Sequence, residues 1–545
     1  MGKRGCVRIV VSVAIFFSAA EVALAPNCVT GPAWAEQLPS EAASDTLPIR
    51  DVHVSDFFVP QELGYVLDRQ PPARAAGPTV IHIQEAHVNY EGQKHLIGIL
   101  ERLINDQRLA LILVEGGEGD VGLSYLRSYG PPENRRDIAE KYLKAGLISA
   151  EEYLDIASDY PLVLWGVERK ELYQRNVEAF METEQRRASL RPALASVEQA
   201  LEVLKPTLTD PQLAELDAKA EAFDQEALSL GEYAAFLDGL AARHGLSQTS
   251  YPHVAQLVAL KALEATINLE QVLREQKELV SRLGTVIDTE RFEALIEKAQ
   301  GVKAETVSRE EFYSALAELA KAAGMAFETY PSLSGYMDYL DAKQQLKPTA
   351  LSEELERLVP LLRERLAATP HAKELQAISE ELDLIGKLID FTLSPQEHKR
   401  LSALDLSQAI GRWDSFLNAQ LVGHGLEART FVGLEELASN LPAFLRFYEL
   451  AQARDEALVD NVVAKLQESS ESLAVLITGG FHSPTITALL RDRGVGLVVV
   501  APKISNAADS RLYHAVLKYK SGHGSLEDVQ AASHPSESEN ALVLR

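Results

Sequence analysis

A carboxylate and an imidazole two positions apart, Glu85 and His87, stand just past the apolar run Thr79 to Ile83. In extended backbone two such side chains project the same way. The carboxylate can then orient the imidazole, or both can bind one metal ion. Glu115 closes a second apolar run, Leu109 to Val114, ahead of Gly116-Gly117, where backbone can approach a ligand closely. Glu168 follows a third, Leu162 to Trp165. His482 follows a fourth, Leu473 to Ile477, after Thr478-Gly479-Gly480-Phe481. If these runs are parallel strands, their carboxyl ends share one edge, where ligands bind in open α/β sheets. Any single polar residue in such a place is most simply a helix cap or a solvated turn. Four strand endings in His or carboxylate point to a site, because charged groups gathered in a crevice carry a desolvation cost that structure alone rarely requires.

The elements that must position these residues can be read from periodicity. A helix is expected from about Glu91, capped by Asn89, with Leu96, Ile99, Leu100, Leu103 and Ile104 on one face. Strand, helix and strand in turn predict a parallel sheet, so the fold class is α/β. Residues 78–170 hold its first half and 446–505 its second. Helices are expected over Asp455 to Leu466 and Pro484 to Asp492, with a last strand reached through Gly494 to Val500. Between the halves, 171–445 is rich in Ala, Leu, Glu, Lys and Gln and has no strand-like run. It reads as a large all-helical insertion, a cap over the sheet edge. Pro206, Pro252, Pro331, Pro348, Pro370 and Pro395 mark its breaks, and Pro360 should kink or split the helix Leu351 to Leu366. No fixed-period repeat is visible in it. Residues 36–77 read as a linker and 506–545 as a tail with one apolar stretch, Leu512 to Leu517.

Composition narrows the function classes. The chain has 545 residues and a formal net charge of −26, which argues against nucleic acid or anionic lipid as partners. Lys3, Arg4 and Arg8 precede the short apolar stretch Ile9 to Ala20, and Ala33-Trp34-Ala35 is a small-x-small cleavage site. Residues 1–35 therefore read as an export signal, and the mature protein as periplasmic or extracellular with no stable membrane span. Their removal takes away Lys3, Arg4, Arg8 and Glu21, a net +2, so −26 becomes −28. Cys6 and Cys28 go with them, leaving neither disulfide nor thiolate. No Gly-x-Ser-x-Gly elbow is present, so a covalent serine or thiol mechanism is disfavoured.

The segment Ile83-Gln84-Glu85-Ala86-His87, followed by Gln93 and Glu115, resembles the G-E-x-H opening of a superfamily. That superfamily joins erythromycin esterases, TraB/Tiki-type metalloproteases and ChaN-like haem-binding proteins. Arg454-Asp455-Glu456-Ala457-Leu458-Val459-Asp460-Asn461 resembles its R-D-x-x-M-A-x-N helix, and Gly479-Gly480-Phe481-His482 its second G-x-x-H. The likeness covers about a fifth of the chain, over 79–120 and 446–503. Gln84 departs from the usual Gly, and Leu458-Val459 from Met-Ala. The resemblance implies that Glu85, His87, Glu115 and His482 are site residues, with Arg454 beside them.

Two mechanisms fit these residues. In one, His87, His482 and Glu115 hold a divalent ion such as zinc or manganese, which acidifies a bound water. In the other, a histidine held by Glu85 or Glu115 acts as general base, and Arg454 stabilises developing negative charge. The expected activity is hydrolysis of an ester or peptide-like bond in a small molecule or peptide. The alternatives are a haem or iron binder without turnover, and a non-catalytic relative that binds a protein through its helical insertion. Substrate and oligomeric state are not readable. Gly117-Glu118-Gly119-Asp120-Val121-Gly122 has the letters of a dinucleotide loop, but its two carboxylates would repel a pyrophosphate. His95 reads as a core-edge histidine, His244, His424 and His523 as turn residues, and Tyr330-Pro331 with Tyr336 to Leu340 as core aromatics.

Overall fold

The computed structural model describes residue 54 and residues 57–533, except 75–76, 86–87, 226, 304–306, 470, 481, 506–509, 521 and 523. The signal segment and His87 thus lie outside the described residues. The chain divides into two compact units, one made of Arg50–Leu208 and Pro370–Arg545, the other of Thr209–Thr369.

The first unit holds a seven-stranded sheet of β1 (Gly64–Gln70), β2 (Thr79–Glu85), β3 (Leu111–Val114), β4 (Glu118–Asp120), β5 (Val163–Val167), β6 (Leu473–Gly479) and β7 (Gly496–Pro502), in the order β1-β7-β2-β6-β3-β5-β4. The five inner strands run parallel, and the edge strands β1 and β4 run antiparallel to β7 and β5. Every residue of β6 and β7 is buried, as a sheet covered on both faces requires. The α/β reading with a helical insertion therefore holds.

On one face pack α1 (Tyr90–Gln107), α2 (Pro132–Lys144) and α3 (Ala150–Ala157), around Ile81, Ile83, Leu96, Leu100, Val475 and Val498. Asn89 caps α1 as expected, accepting from the Gly92 amide at 2.8 Å. The site draws on the opposite side, where α4 (Lys170–Leu208), α16 (Leu434–Ser469) and α17 (Ser483–Asp492) lie. Also in this unit are α13 (Pro370–Ile389), α14 (Pro395–Ser402), α15 (Leu406–Gly423), α18 (Ser510–Lys520) and α19 (Leu526–Ser533). Strand β6 is inserted between β2 and β3, although it comes more than 350 residues after them. This crossover is what brings a late segment to the edge formed by early ones.

Several boundaries differ from the sequence reading. Residues 64–70, placed in a linker, form the edge strand β1, with Leu67 and Asp68 buried. Helix α16 runs unbroken through 445, so the insertion and the second half of the α/β core share one helix. Segments 171–208 and 370–445 cluster with the sheet, and Thr209–Thr369 alone forms the second unit. Gly117 to Gly122 carries the antiparallel strand β4, not a strand-to-helix phosphate turn.

The second unit contains α5 (Pro211–Asp224), α6 (Leu230–Arg243), α7 (Pro252–Thr266), α8 (Leu269–Leu283), α9 (Thr289–Lys303), α10 (Arg309–Ala322), α11 (Pro331–Gln345) and α12 (Pro348–Leu366). Pro211, Pro252, Pro331 and Pro348 begin helices, the position where a missing N–H costs nothing. Pro360 lies within α12 without splitting it; Leu351, Leu355, Leu358 and Leu362 bury around it and outweigh the lost hydrogen bond.

The expectation of no repeat is overturned. Tyr251-Pro252 recurs as Tyr330-Pro331, 79 residues on (251 to 330), and at the same offset Ser229, Leu237, Gly245, Glu275, Leu279 and Leu283 recur as Ser308, Leu316, Gly324, Glu354, Leu358 and Leu362. The helices α5 to α8 thus correspond to α9 to α12. The two halves exchange contacts symmetrically. Glu275 of the first accepts from the Leu333 amide at the start of α11, at 2.9 Å. Glu354 of the second accepts from the His253 and Val254 amides at the start of α7, at 2.8 and 3.0 Å. Each carboxylate satisfies the open N–H groups of the other half's helix.

Candidate functional site

Three of the strand-end residues meet. Glu115 follows β3, whose backbone continues its pairing through the Glu115 amide to the Ile477 carbonyl at 3.2 Å. Its Oε2 accepts from the Gly479 amide at 2.8 Å, which ties it to the end of β6. His482 turns back just beyond, its amide donating to the Gly479 carbonyl at 3.1 Å. Glu168 follows β5, its amide bonded to the Gly117 carbonyl at 2.9 Å. Alternation along β3 turns Ile112 and Val114 toward α1, and Glu115 to the opposite side.

Helix α16 supplies the groups that join these carboxylates. Arg454 Nη2 donates to Glu115 Oε1 at 3.1 Å and to Glu168, and Nε reaches Glu168 Oε2 at 3.4 Å. Its Nη1 donates to Asn176 Oδ1 of α4 at 2.9 Å, and its guanidinium lies 5.1 Å from the Tyr173 ring centre. Asn461, two turns further along α16, donates to the Val167 carbonyl at 2.9 Å. Arg454 and Asn461 therefore face the end of β5 from one side of one helix.

Asp455, next to Arg454, hydrogen-bonds His482 Nδ1. This holds the ring through Nδ1 and leaves Nε2 facing the other charged groups. Nε2 faces Glu115 Oε1 at 3.4 Å and Arg454 Nη1 at 3.5 Å, both longer than close hydrogen bonds. Glu168, Arg454, Asp455 and His482 are all buried.

Burial pulls the pKa of His482 down, but Glu115 and Asp455 outweigh it and hold the imidazole above its ordinary value. Burial also works against the Arg454 charge, and Glu115 with Glu168 more than offset it, so the guanidinium stays cationic. Burial raises the pKa of Asp455, against the pull of His482. Both neighbouring acids thus favour the protonated imidazole, and the guanidinium charge is balanced by Glu115 and Glu168.

Glu85 goes elsewhere. Its residue pairs with Gly479 in the sheet, but its side chain takes a hydrogen bond from Gln93 of α1, on the other face. Gln93 Oε1 accepts from the Ala150 amide at 2.7 Å, linking Glu85 to the start of α3. Glu151 is buried there, and burial first, then Glu85, pushes its pKa up to about 8. His95 Nδ1 donates to the Lys503 carbonyl, 2.6 Å away, as a core-edge histidine.

The expected metal set was His87, His482 and Glu115. Glu115 and His482 do come together, while His87 lies outside the described residues. Among the described residues no three His, Cys, Asp or Glu side chains are arranged to hold a metal ion. The donor chemistry gives the reason: the Arg454 guanidinium occupies the cation position between Glu115 and Glu168, so a divalent ion there would face a fixed positive charge. The described residues do not fit a divalent ion. Both ring nitrogens of His482 face charged groups.

Asp455 and Asn176 were not singled out from sequence. Asp455 did carry a signal: it is the Asp of the Arg454-Asp455 pair in the segment that resembles the R-D-x-x-M-A-x-N helix. Comparison with protein-family models, curated proteins and solved structures gives no match to this chain.

Proposed function

We propose that the protein is an exported hydrolase of an ester or peptide-like bond, working from His482 without a bound metal. The carrying observation is the Asp455–His482–Glu115 array at the carboxyl edge of the sheet, with Arg454 anchored beside it by Glu168. Neutral His482 takes a proton from water at Nε2 as the water oxygen attacks the acyl carbon. Arg454 opposes the negative charge that develops on the carbonyl oxygen. The imidazolium, steadied by Asp455, returns the proton to the departing alkoxide or amine, giving an acid and an alcohol or amine. Glu115, held by the Gly479 amide and Arg454, sets the electrostatic cost of discharging His482.

Since His482 is held protonated above its ordinary range, hydrolysis should rise with pH through a pKa above 6.5. The test is hydrolysis of a panel of chromogenic esters and fluorogenic peptides by the mature chain, its His482→Gln and Asp455→Asn variants, and chelator-treated enzyme. Loss of ~10²-fold or more in the histidine variant is expected, with no effect of chelation. Equal rates in wild type and His482→Gln overturn the reading. Rates abolished by chelation and restored by zinc or manganese overturn its metal-free form and point to a site that includes His87.

A further inference from the structure

Glu168, Arg454, Asp455 and His482 are 2–6% exposed and the Glu115 side chain 13%, so a bulky substrate needs some element to move. The last described elements, α18 and α19, are placed to be that element. Leu512, Val516 and Val529 bury against Val88, with Leu147, Tyr513, Ala515 and Ala532 alongside. Val88 stands just past the carboxyl end of β2, and Leu147 lies in the turn before α3. Leu517, on the same helix α18, packs instead with the cluster of Phe180 and Tyr448 from α4 and α16. One helix thus packs on Val88, at the carboxyl end of β2, and on the cluster of α4 and α16, the helix that brings Arg454 to Glu115 and His482.

Two details fit this placement. Gly146 has φ 69°, and a Cβ built there would come 3.0 Å from Val88 Cγ1 and 3.6 Å from Val516 Cγ2, so α18 is seated closely on the turn. Tyr513, beside Leu512, lies within range of the charges of Glu115 and Arg454. The seat itself is thin. Among the described residues its buried apolar side chains are Val88, Leu512, Val516 and Val529, whereas α4 and α16 are fixed by an extended cluster of leucines and aromatics. When something must yield over this edge, packing selects α18 and α19.

We infer that α18 and α19 form a cover over the carboxyl edge, seated by Leu512, Val516 and Val529, and that it lifts to admit substrate to His482. The inference rests on the hydrolase reading for its purpose, but not for its test. Val516→Asp places a charge in the apolar seat and should unseat the cover; Val529→Asp is an independent second variant. Hydrogen exchange of the mature chain is read by mass spectrometry, alongside hydrolysis of the ester and peptide panel. Peptides spanning 110–118 and 473–484 should exchange about tenfold faster in both variants, while peptides of α1 and the second unit stay as in wild type. Hydrolysis, where present, should keep its pH profile and gain most on bulky substrates. Wild-type exchange at both edge peptides in the two folded variants overturns the cover. Loss of protection throughout the first unit overturns it too, since the pair would then be core. Faster edge exchange with no hydrolysis by any form supports the cover and removes the hydrolase.

Discussion

His82 offers a test of the site's framework that needs no substrate. It lies in β2, fully buried, with Nε2 2.8 Å from Thr478 Oγ1 and Nδ1 3.3 Å from Thr487 Oγ1. It thereby ties β2 to β6 and α17 directly beneath His482. Burial lowers its pKa from 6.5 to about 4, partly opposed by Glu115. The unfolded chain therefore takes up a proton between pH 6.5 and 4 that the folded protein refuses, and stability must fall as pH drops through that window. Taking about 4 for the folded and 6.5 for the unfolded state, His82 alone removes ~2.5 kcal/mol between pH 7.5 and 4.5. Other groups titrate over the same range, so the quantity to measure is a difference. His82→Gln can still bond both threonines but does not titrate. Urea unfolding of both proteins at pH 7.5 and 4.5 should show the wild type losing ~2.5 kcal/mol more than the variant. Tryptophan fluorescence suits the assay: Trp165 and Trp413 lie in the first unit, and Trp34 lies in the expected signal segment, so unfolding of the helical unit does not intrude. Equal losses in the two proteins would refute a neutral, buried His82.

Arg454→Met should cost ~3–5 kcal/mol in the same fluorescence assay at pH 7, because buried Glu168 and half-buried Glu115 would be left without their cation; a loss under 1 kcal/mol would mean that the pair is solvated. The His482 imidazole should titrate above 6.5 by NMR and shift down in Asp455→Asn, since the carboxylate helps to hold it protonated; an unshifted resonance would remove Asp455 as its partner. In the helical unit, Glu275→Ala should unprotect the amide of Leu333 but not that of Val254, and Glu354→Ala the reverse, each costing ~1–3 kcal/mol. Loss of protection within the mutated half instead would refute the exchange of caps.

The inner strands were legible because a strand buried on both faces is an unbroken apolar run, and its end is marked by the first polar residue. Glu115, Glu168 and His482 were found that way, and β6 brings them together. The outer strand β1 was not, since Gly64–Gln70 pairs on one side only and keeps Asp68, Arg69 and Gln70, which read as linker. Glu85 illustrates a second limit. Strand alternation tells that two side chains face the same way, but not which face the charged cluster occupies; Glu85 turned to Gln93 while Glu115 turned to Arg454. Asp455 shows a third, because in a helix the side of a charged residue that meets a partner depends on helix rotation, which no local pattern sets.

The hidden repeat has a different cause. Helical sequence tolerates wide substitution so long as the apolar stripe is kept, so two equivalent halves can diverge until little beyond packing and capping positions coincides. What survives at the 79-residue offset is therefore what the symmetric arrangement needs. Tyr-Pro opens α7 and α11, where proline is pre-set for the first turn. Neither helix has a side-chain cap of its own. The missing acceptor comes from the other half, from Glu275 for α11 and from Glu354 for α7. A buried glutamate is costly in isolation, and each of these keeps its place because it answers the open amides of the opposite helix. Neither half can satisfy its own helix terminus, so the two depend on each other for a closed set of hydrogen bonds. A single substitution at Glu275 or Glu354 therefore acts across the interface between the halves, and the far helix should feel it first.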